Sequence, residues 1–491
     1  MKKSVLFFFL SLMISAYSQD NTRLPNIIYI YADDLGYGDI GPYGQTKIET
    51  PNLDKMAKEG MVFTNHYSGS PVCAPARCIL LTGKHAGHAY IRGNYELGGF
   101  ADSLEAGQMP LPEGTYTIAT MLKAAGYLTA ATGKWGLGMP GNSGDPNRQG
   151  FDYFYGISDQ KQAHNYYPTH LWENGRWDSL NNPVITVHKA LDPATATEED
   201  FNYFKGNDYA PEKILEKALA FIDSTKNRPF FLYFPSPLPH ASLQVPDAYT
   251  RRYKGKFDEQ PYYGEQGYAA NKYPQSAHAA MVTYLDEQVG KIIGKIKSLG
   301  LDENTIIFFS SDNGGSKEGG ISNDLFKMNG NLKGGKRDLY EGGIKEPLIV
   351  RWPGKVKPGS TTGLISAQYD LMATLAELTG AKSGNTDGIS FLPTLTGDST
   401  GQKNHDFLYF EFGENGGSVA VRIGNWKGIK NNLKKNKNMP WELYDLTSDP
   451  GEKNNIAANH PDILSKMDAV VQSQHQPAHI KEWEFINPKW E

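Results

Sequence analysis

Residues 26–39 read NIIYIYADDLGYGD. Asn26 to Ala32 is a short run of aliphatic, β-branched and aromatic residues, which predicts a buried strand. It breaks at Asp33-Asp34, ahead of the turn formers Gly36 and Gly38. The same pattern recurs along the chain. Further strands are predicted at Tyr127–Ala131, Phe230–Phe234 and Thr305–Ser310. Helical periodicity lies at Asn52–Glu59 and Thr117–Ala125, and a long amphipathic helix at Ala277–Leu299. Strands that alternate with helices predict an α/β fold, a mostly parallel central sheet flanked by helices. Residues 141–208 are rich in Asn, Asp, Gly, Pro and aromatics and are expected to form long loops over one face. Near Gly397–Gly401 the character changes. FLYFEF, SVAVRIGNWKGIK and WELYDL alternate like antiparallel strands, and Pro461–Gln472 reads as a terminal helix. The chain therefore divides into a leader at 1–18, an α/β domain at 19–398 and a smaller α+β subdomain at 399–491.

The leader, MKKSVLFFFLSLMISAYS, sets two lysines before an apolar run from Val5 to Ile14, with small residues at Ala16 and Ser18. That is the pattern of a secretory signal peptide, so an exported, periplasmic or secreted protein is expected. The run is too short to span a membrane, and no later stretch has the length. Net charge is −5, and −7 once Lys2 and Lys3 are removed. A mildly acidic chain argues against nucleic acid as the main partner, since phosphate backbones want a basic face. The 28 tyrosines and 8 tryptophans offer stacking platforms for sugars, although ordinary packing accounts for most of them.

Two strands end in acidic tips: Asp33 and Asp34 after the first, Asp312 and Asn313 within TIIFFSSDNGG at 305–315. Ligands gather beyond the carboxyl ends of strands in open parallel sheets. Singly, each tip is turn chemistry. Together, three carboxylates and an amide oxygen suit a hard cation, Ca²⁺ or Mg²⁺. Cys73 and Cys78 are the only cysteines and lie in SPVCAPARCILLTG at 70–83. A bridge closing so short a loop gains little stability. A thiolate is also a poor ligand for such a cation. Cys73 makes sense beside this metal only if oxygen replaces its sulfur.

Cys73-Ala74-Pro75-Ala76-Arg77, followed by Leu80 to Gly83, resembles the signature of the type I sulfatases. The resemblance implies an alkaline-phosphatase-like fold. It implies that a maturation enzyme oxidises Cys73 to formylglycine, whose aldehyde hydrate is the nucleophile. It also implies that Cys73 joins Asp33, Asp34, Asp312 and Asn313 around calcium, with magnesium as the alternative. Further motifs follow in the family's order. ATGKWGLG at 131–138 looks like the lysine motif, with Lys134 on the sulfate. PSPLPHASLQVP from Pro235 looks like the histidine motif, with His240 as general acid to the leaving oxygen. LKGGKRDLYEGG at 332–343 carries Lys336, the second sulfate-holding lysine. Arg77 lies one helical turn beyond Cys73 and adds another cation. A breaking sulfate ester gathers negative charge, which fixed cations stabilise.

The chain departs from the pattern at Gly136, where many members read GKWHLG and the histidine assists collapse of the hydrate. His164, in QKQAHNYYPTH, is the candidate to replace it and a candidate substrate contact. His88 and Arg92, in GHAYIRGN, are expected to line the pocket and read a sugar, with a salt-bridged helix end as the alternative. Glu411 and Glu414 in FEFGENGG reach the site only if the small subdomain packs over it. The motifs GKWGLG, HAYIRGN and QAHNYYP together look like sulfatases acting on galacto-configured glycans. The reading is a sulfatase for galactose or N-acetylgalactosamine O-sulfates, with a sulfated carbohydrate and a maturation enzyme as partners. The alternatives are a phosphate or phosphonate ester hydrolase of the same superfamily and a non-catalytic glycan-binding protein.

Overall fold

The computed structural model describes residues 23–398 and 400–486; the leader at 1–18 lies outside them. β1 is Asn26–Ala32, buried along its whole length. The other strands of the main sheet are β2 (Met61–Tyr67), β3 (Leu128–Lys134), β4 (Tyr153–Ile157), β5 (His170–Glu173), β6 (Arg176–Ser179), β7 (Phe230–Pro235), β8 (Thr305–Ser311), β9 (Lys345–Arg351), β10 (Ser360–Thr362) and β11 (Ser366–Ala367). Their order is β10-β2-β9-β8-β1-β7-β3-β4-β5-β6, with β11 beside β2. The central strands β8, β1, β7, β3 and β4 are parallel. β9 and β5 reverse direction on either side.

Alternation along β1 feeds two cores. Ile27, Tyr29 and Tyr31 face one, with Leu80, Leu81 and Ile118 of the covering helices. Ile28 and Ile30 face the other, with Ile214, Ile222 and Leu285. Side chains point to opposite faces every second residue, so both faces must be roofed by helices. The roof of the second face is the Pro274–Ser298 helix, which begins three residues earlier than the periodicity predicts. Proline at its first position has no N–H to lose and a preset φ. The Ile118–Ala124 helix starts where Thr117 accepts a hydrogen bond from the Thr120 N–H.

Residues 141–208 depart from the expected loops. β4, β5 and β6 lie there and extend the sheet edge, with Trp172 opposite Trp177. Strands of four and five residues leave too little alternation to show through a polar, aromatic background.

A second sheet of β12 (Leu408–Phe412), β13 (Ser418–Ile423), β14 (Trp426–Lys430) and β15 (Glu442–Asp445) is an antiparallel meander, as the alternation predicts. Tyr409, Val419, Leu443 and Met467 form its own core. Phe410, Ala420 and Ile429 on the opposite face join the core of the main domain. The small sheet is therefore fused to the large one through packed apolar surface.

His475 closes this subdomain from within. Its Nδ1 is 2.9 Å from Glu411 and its Nε2 3.2 Å from Glu484. Burial alone would lower its pKa, but the two carboxylates raise it to about 9. A folded pKa above the unfolded value means that this stabilisation is complete below about pH 6.5 and is lost as pH rises through 9. Thermal unfolding followed from pH 6 to 10 should show that slope. His475→Gln should remove it and cost on the order of 1–2 kcal/mol at pH 6.

Candidate active site

Ala32 of β1 lies opposite Ser311 of β8. Asp33 and Asp312 therefore leave the same end of neighbouring parallel strands. The Asp34 N–H donates to Asp312 Oδ1 at 3.0 Å, and Asn313 Nδ2 donates to Asp34 Oδ1 at 2.7 Å. Asp34 holds a left-handed backbone, φ 60°, which turns its carboxylate back over the strand ends.

Cys73 is the first residue of the Cys73–Thr82 helix, and the helix N-terminus favours an anion there. One helical turn on, Arg77 is fully buried. Its Nη2 bonds Asp33 at 3.2 Å and Asp312 at 2.9 Å, and its Nη1 bonds the Lys134 carbonyl at 2.7 Å. Arg77 is thus engaged beneath the carboxylates and holds them in place.

Lys134 ends β3, its Nζ 2.5 Å from Asp33. The preceding Gly133 permits this: a Cβ there would lie 2.0 Å from the Pro235 carbonyl of β7. Lys336 Nζ sits 2.8 Å from Asp34, 2.8 Å from Glu318 and 3.1 Å from His240 Nε2. His240 is buried, its Nδ1 against the Ala241 carbonyl, which leaves Nε2 to accept from Lys336. Tyr166 anchors the histidine loop through the Pro237 and His240 carbonyls.

The structure thus gathers Asp33, Asp34, Cys73, Arg77, Lys134, His240, Asp312, Asn313 and Lys336 at one end of the central sheet. Ligand atoms of Asp33, Asp34, Cys73 and His240 lie within 4.8 Å of one another. Burial would raise Asp33, but Lys134 and Arg77 hold it well below the usual carboxylate range. Burial, with the charge of Asp33 beside it, pushes Asp312 up to about 7. Asp33 Oδ1 and Asn313 Oδ1 are buried with no hydrogen-bond partner. Crowded carboxylates with two such oxygens fit a hard divalent cation. His240 stands apart from that donor set, because Lys336 occupies its free nitrogen.

Burial, and then Asp33, push the Cys73 thiol well above its ordinary pKa. A buried thiol held protonated is a weak nucleophile. Cys73 and Cys78 are both unpaired, which disposes of the disulfide.

Several neighbours escaped the sequence reading. Glu318 takes Lys336 through one oxygen and Arg337, at 2.6 Å, through the other. It lies in the irregular stretch SKEGG, which has no periodicity to flag it. Asn94 Oδ1 accepts from the Ala74 N–H at the start of the Cys73–Thr82 helix, and the Asn94 N–H donates to Glu414 at 2.8 Å. The small subdomain therefore reaches the site through Glu414, whereas Glu411 is buried with Arg92 and His475.

The pocket role expected of His88 and Arg92 is corrected. Arg92 is spent on Glu411 and on the Gly87, Ala89 and Gln476 carbonyls. His88 stacks on His85 and pairs with Asp387. They brace the helix end against the rest of the fold.

His164 stacks on His240, centroids 5.3 Å apart. The region around Gly136 is filled differently. Its φ is +74°, and a Cβ there would meet Gln160 Nε2 at 2.7 Å and Gln108 Oε1 at 3.1 Å. Gly136→His should therefore destabilise the fold by about 1–3 kcal/mol, read as a lowered melting temperature, and restore no activity.

A carboxylate cluster that could hold a metal, an unpaired cysteine at a helix N-terminus and two lysines on an alkaline-phosphatase-like sheet fit a hydrolase of anionic esters. The sulfatase family model matches residues 25–381, and the model described as the C-terminal region of N-sulphoglucosamine sulphohydrolase matches residues 334–476. The N-acetylgalactosamine-6-O-sulfatase of Bacteroides thetaiotaomicron is 32% identical, covering 92% of this chain and 93% of that protein. Human arylsulfatase A is 32% identical, over 91% and 86%. The solved structure of i-CgsB in complex with a neocarrahexaose superimposes with a TM-score of 0.75 at 27% identity, over 92% and 94%. The chain belongs to the sulfatase family and is a sulfuric ester hydrolase.

Proposed function

We propose that this protein removes O-sulfate from galactose or N-acetylgalactosamine units of a glycan, after export, with formylglycine made from Cys73 and with calcium bound. The observation that carries the reading is Cys73 at a helix N-terminus, inside a ring of Asp33, Asp34, Lys134, Lys336 and His240. The galacto assignment draws on the N-acetylgalactosamine-6-O-sulfatase relative.

The hydrate at position 73 supplies an oxygen nucleophile that the buried thiol cannot. Bound by Asp33, Asp34, Asp312 and Asn313, Ca²⁺ supplies positive charge against the ester's anionic oxygens. Lys134 and Lys336 add fixed positive charge on either side of position 73. Each already rests on a carboxylate, so neither must reorganise as charge develops. Lys336 points its ammonium at His240 Nε2. For His240 to act as general acid its Nε2 must first take a proton, and the Lys336 ammonium facing that nitrogen is the source: the proton passes from Lys336 to His240 and from His240 to the leaving sugar oxygen. Arg77 keeps Asp33 and Asp312 in register.

The test is sulfate release from galactose and N-acetylgalactosamine sulfated at C3, C4 or C6, with paired phosphate esters alongside. The protein is co-expressed with a maturation enzyme. Release from one sulfated regioisomer, with phosphate esters far slower, is expected. Preferential phosphate release would overturn the reading. Chelation should lower turnover at least 100-fold and lower the melting temperature, and added calcium should restore both.

A further inference from the structure

A ladder of rings leads outward from His240. His164 stacks on it, and Phe100 stacks on His164 at 5.7 Å. His188 lies 3.8 Å from Phe100 and joins its Nε2 to His164 Nδ1 at 3.3 Å. Tyr268 closes the inner end, 4.9 Å from His164 and 5.9 Å from His240. His240 and Tyr268 are buried and His164 and His188 partly so, while Phe100 is 46% exposed.

The loop that bears Phe100 is held rather than loose. Asp102 accepts from Thr169 at 2.8 Å, and the Gly107 N–H donates to Asp159 at 2.8 Å. Its inner end is Asn94, whose Oδ1 accepts from the Ala74 N–H in the first turn of the Cys73–Thr82 helix. The loop therefore forms a wall that runs from position 73 to the far side of His164. Lys161 lies over the Phe100 ring, 5.1 Å from its centre, and donates to the Gly98 carbonyl. Among the described residues it pairs with no carboxylate.

The geometry points to a second sugar subsite: Phe100 carries the apolar face of the sugar next to the sulfated one, and Lys161 takes an acidic substituent on it. This rests on the glycan sulfatase reading above. His240 marks the leaving oxygen, and Phe100 stands two ring-to-ring steps beyond it, where the glycan continues. Pyranose C–H faces pack on aromatic rings, and sugar sites pair such a face with few, well-placed polar groups. A carboxylate or second sulfate supplies the charge that Lys161 lacks. The substrate class is therefore an acidic oligosaccharide rather than a lone sugar sulfate.

Binding separates this subsite from the chemistry. The Cys73→Ala protein, which turns nothing over, is titrated calorimetrically with three probes. These are a galacto-configured sugar sulfate alone, the same sugar linked to a neutral hexose, and the same sugar linked to a hexuronate. Phe100→Ala in that background should weaken both disaccharides about tenfold and the monosaccharide little. Phe100→Tyr should keep the affinity. Lys161→Gln should weaken only the hexuronate probe, by about fivefold. Equal affinities for all three probes, or losses in Phe100→Ala that are the same for monosaccharide and disaccharide, would overturn the subsite. A loss in Phe100→Tyr as large as in the alanine variant would assign Phe100 to loop packing and overturn it too. Sulfate release by the mature wild type is read separately, so failure of the sulfatase reading leaves its own signature.

Discussion

Cys73→Ala is expected to lower sulfate release by about 10⁴-fold or more, the scale on which removal of a nucleophile cripples a hydrolase. The cause is chemical rather than structural. Cys73 is 1% exposed and its thiol makes no hydrogen bond that alanine would orphan. The substitution removes one buried sulfur, so the melting temperature should move by only a few degrees. Lys134, Lys336 and the carboxylates stay in place, and binding of sulfate esters should survive. The check has two readouts: sulfate release, and mass spectrometry of the peptide that contains residue 73. Wild type purified with its maturation enzyme should carry formylglycine and turn over. Wild type purified without it should resemble the alanine variant, because burial keeps the thiol protonated. Near-normal turnover by Cys73→Ala would remove Cys73 from the chemistry altogether.

Lys427→Met should destabilise the protein by about 3–5 kcal/mol, the cost of stranding buried charge. Lys427 is fully buried at the seam of the two sheets, 2.9 Å from Glu341 and 3.2 Å from Glu452. Glu341 also accepts from Tyr67 at 2.6 Å, and Tyr67 in turn is bonded by Arg422 of the small sheet. Burial, moderated by Lys427 and reinforced by the negative charge of Glu341, places Glu452 at about 7. Without the lysine, two carboxylates face each other in a dry seam. They escape only by taking up protons, so the deficit should be large at pH 8 and smaller at pH 5. Urea unfolding at both pH values measures it. Glu341→Gln in the Lys427→Met background should recover part of the loss, because the charges act as one cluster. An unchanged urea midpoint would mean that the seam is held by its apolar contacts alone.

Both results bear on how the chain encodes its site. Asp33-Asp34 and Asp312-Asn313 were legible because each follows a short apolar strand, and strand ends meet in a parallel sheet. Cys73, Arg77, Lys134, His240 and Lys336 were singled out because each sits in a short motif that resembles the sulfatases, and the structure brings them together at one end of the sheet. Such motifs report themselves: the strand, the turn and the functional side chain are neighbours along the chain. Glu318 was not legible because it lies in an irregular stretch with no periodicity, and Glu414, although singled out, could be placed only by the packing of the small subdomain, since its partner Asn94 lies 320 residues away. His88 and Arg92 misled for the same reason. Their motif looks like a polar pocket lining, yet Asp387 and Glu411, some 300 residues later in the chain, claim them.

The sequence by itself determined the layered α/β sheet, the antiparallel add-on and the chemistry at the strand ends, because hydrophobic periodicity and turn residues act over a handful of positions. Only the tertiary structure decided which cation serves which carboxylate. It placed Arg77 beneath Asp33 and Asp312, Lys336 on Asp34 and His240, and Gln108 with Gln160 around Gly136. It also raised the Phe100 wall beside His240. The physical reason is that charge pairing and ring stacking depend on distances of a few ångströms between segments that the chain itself keeps far apart.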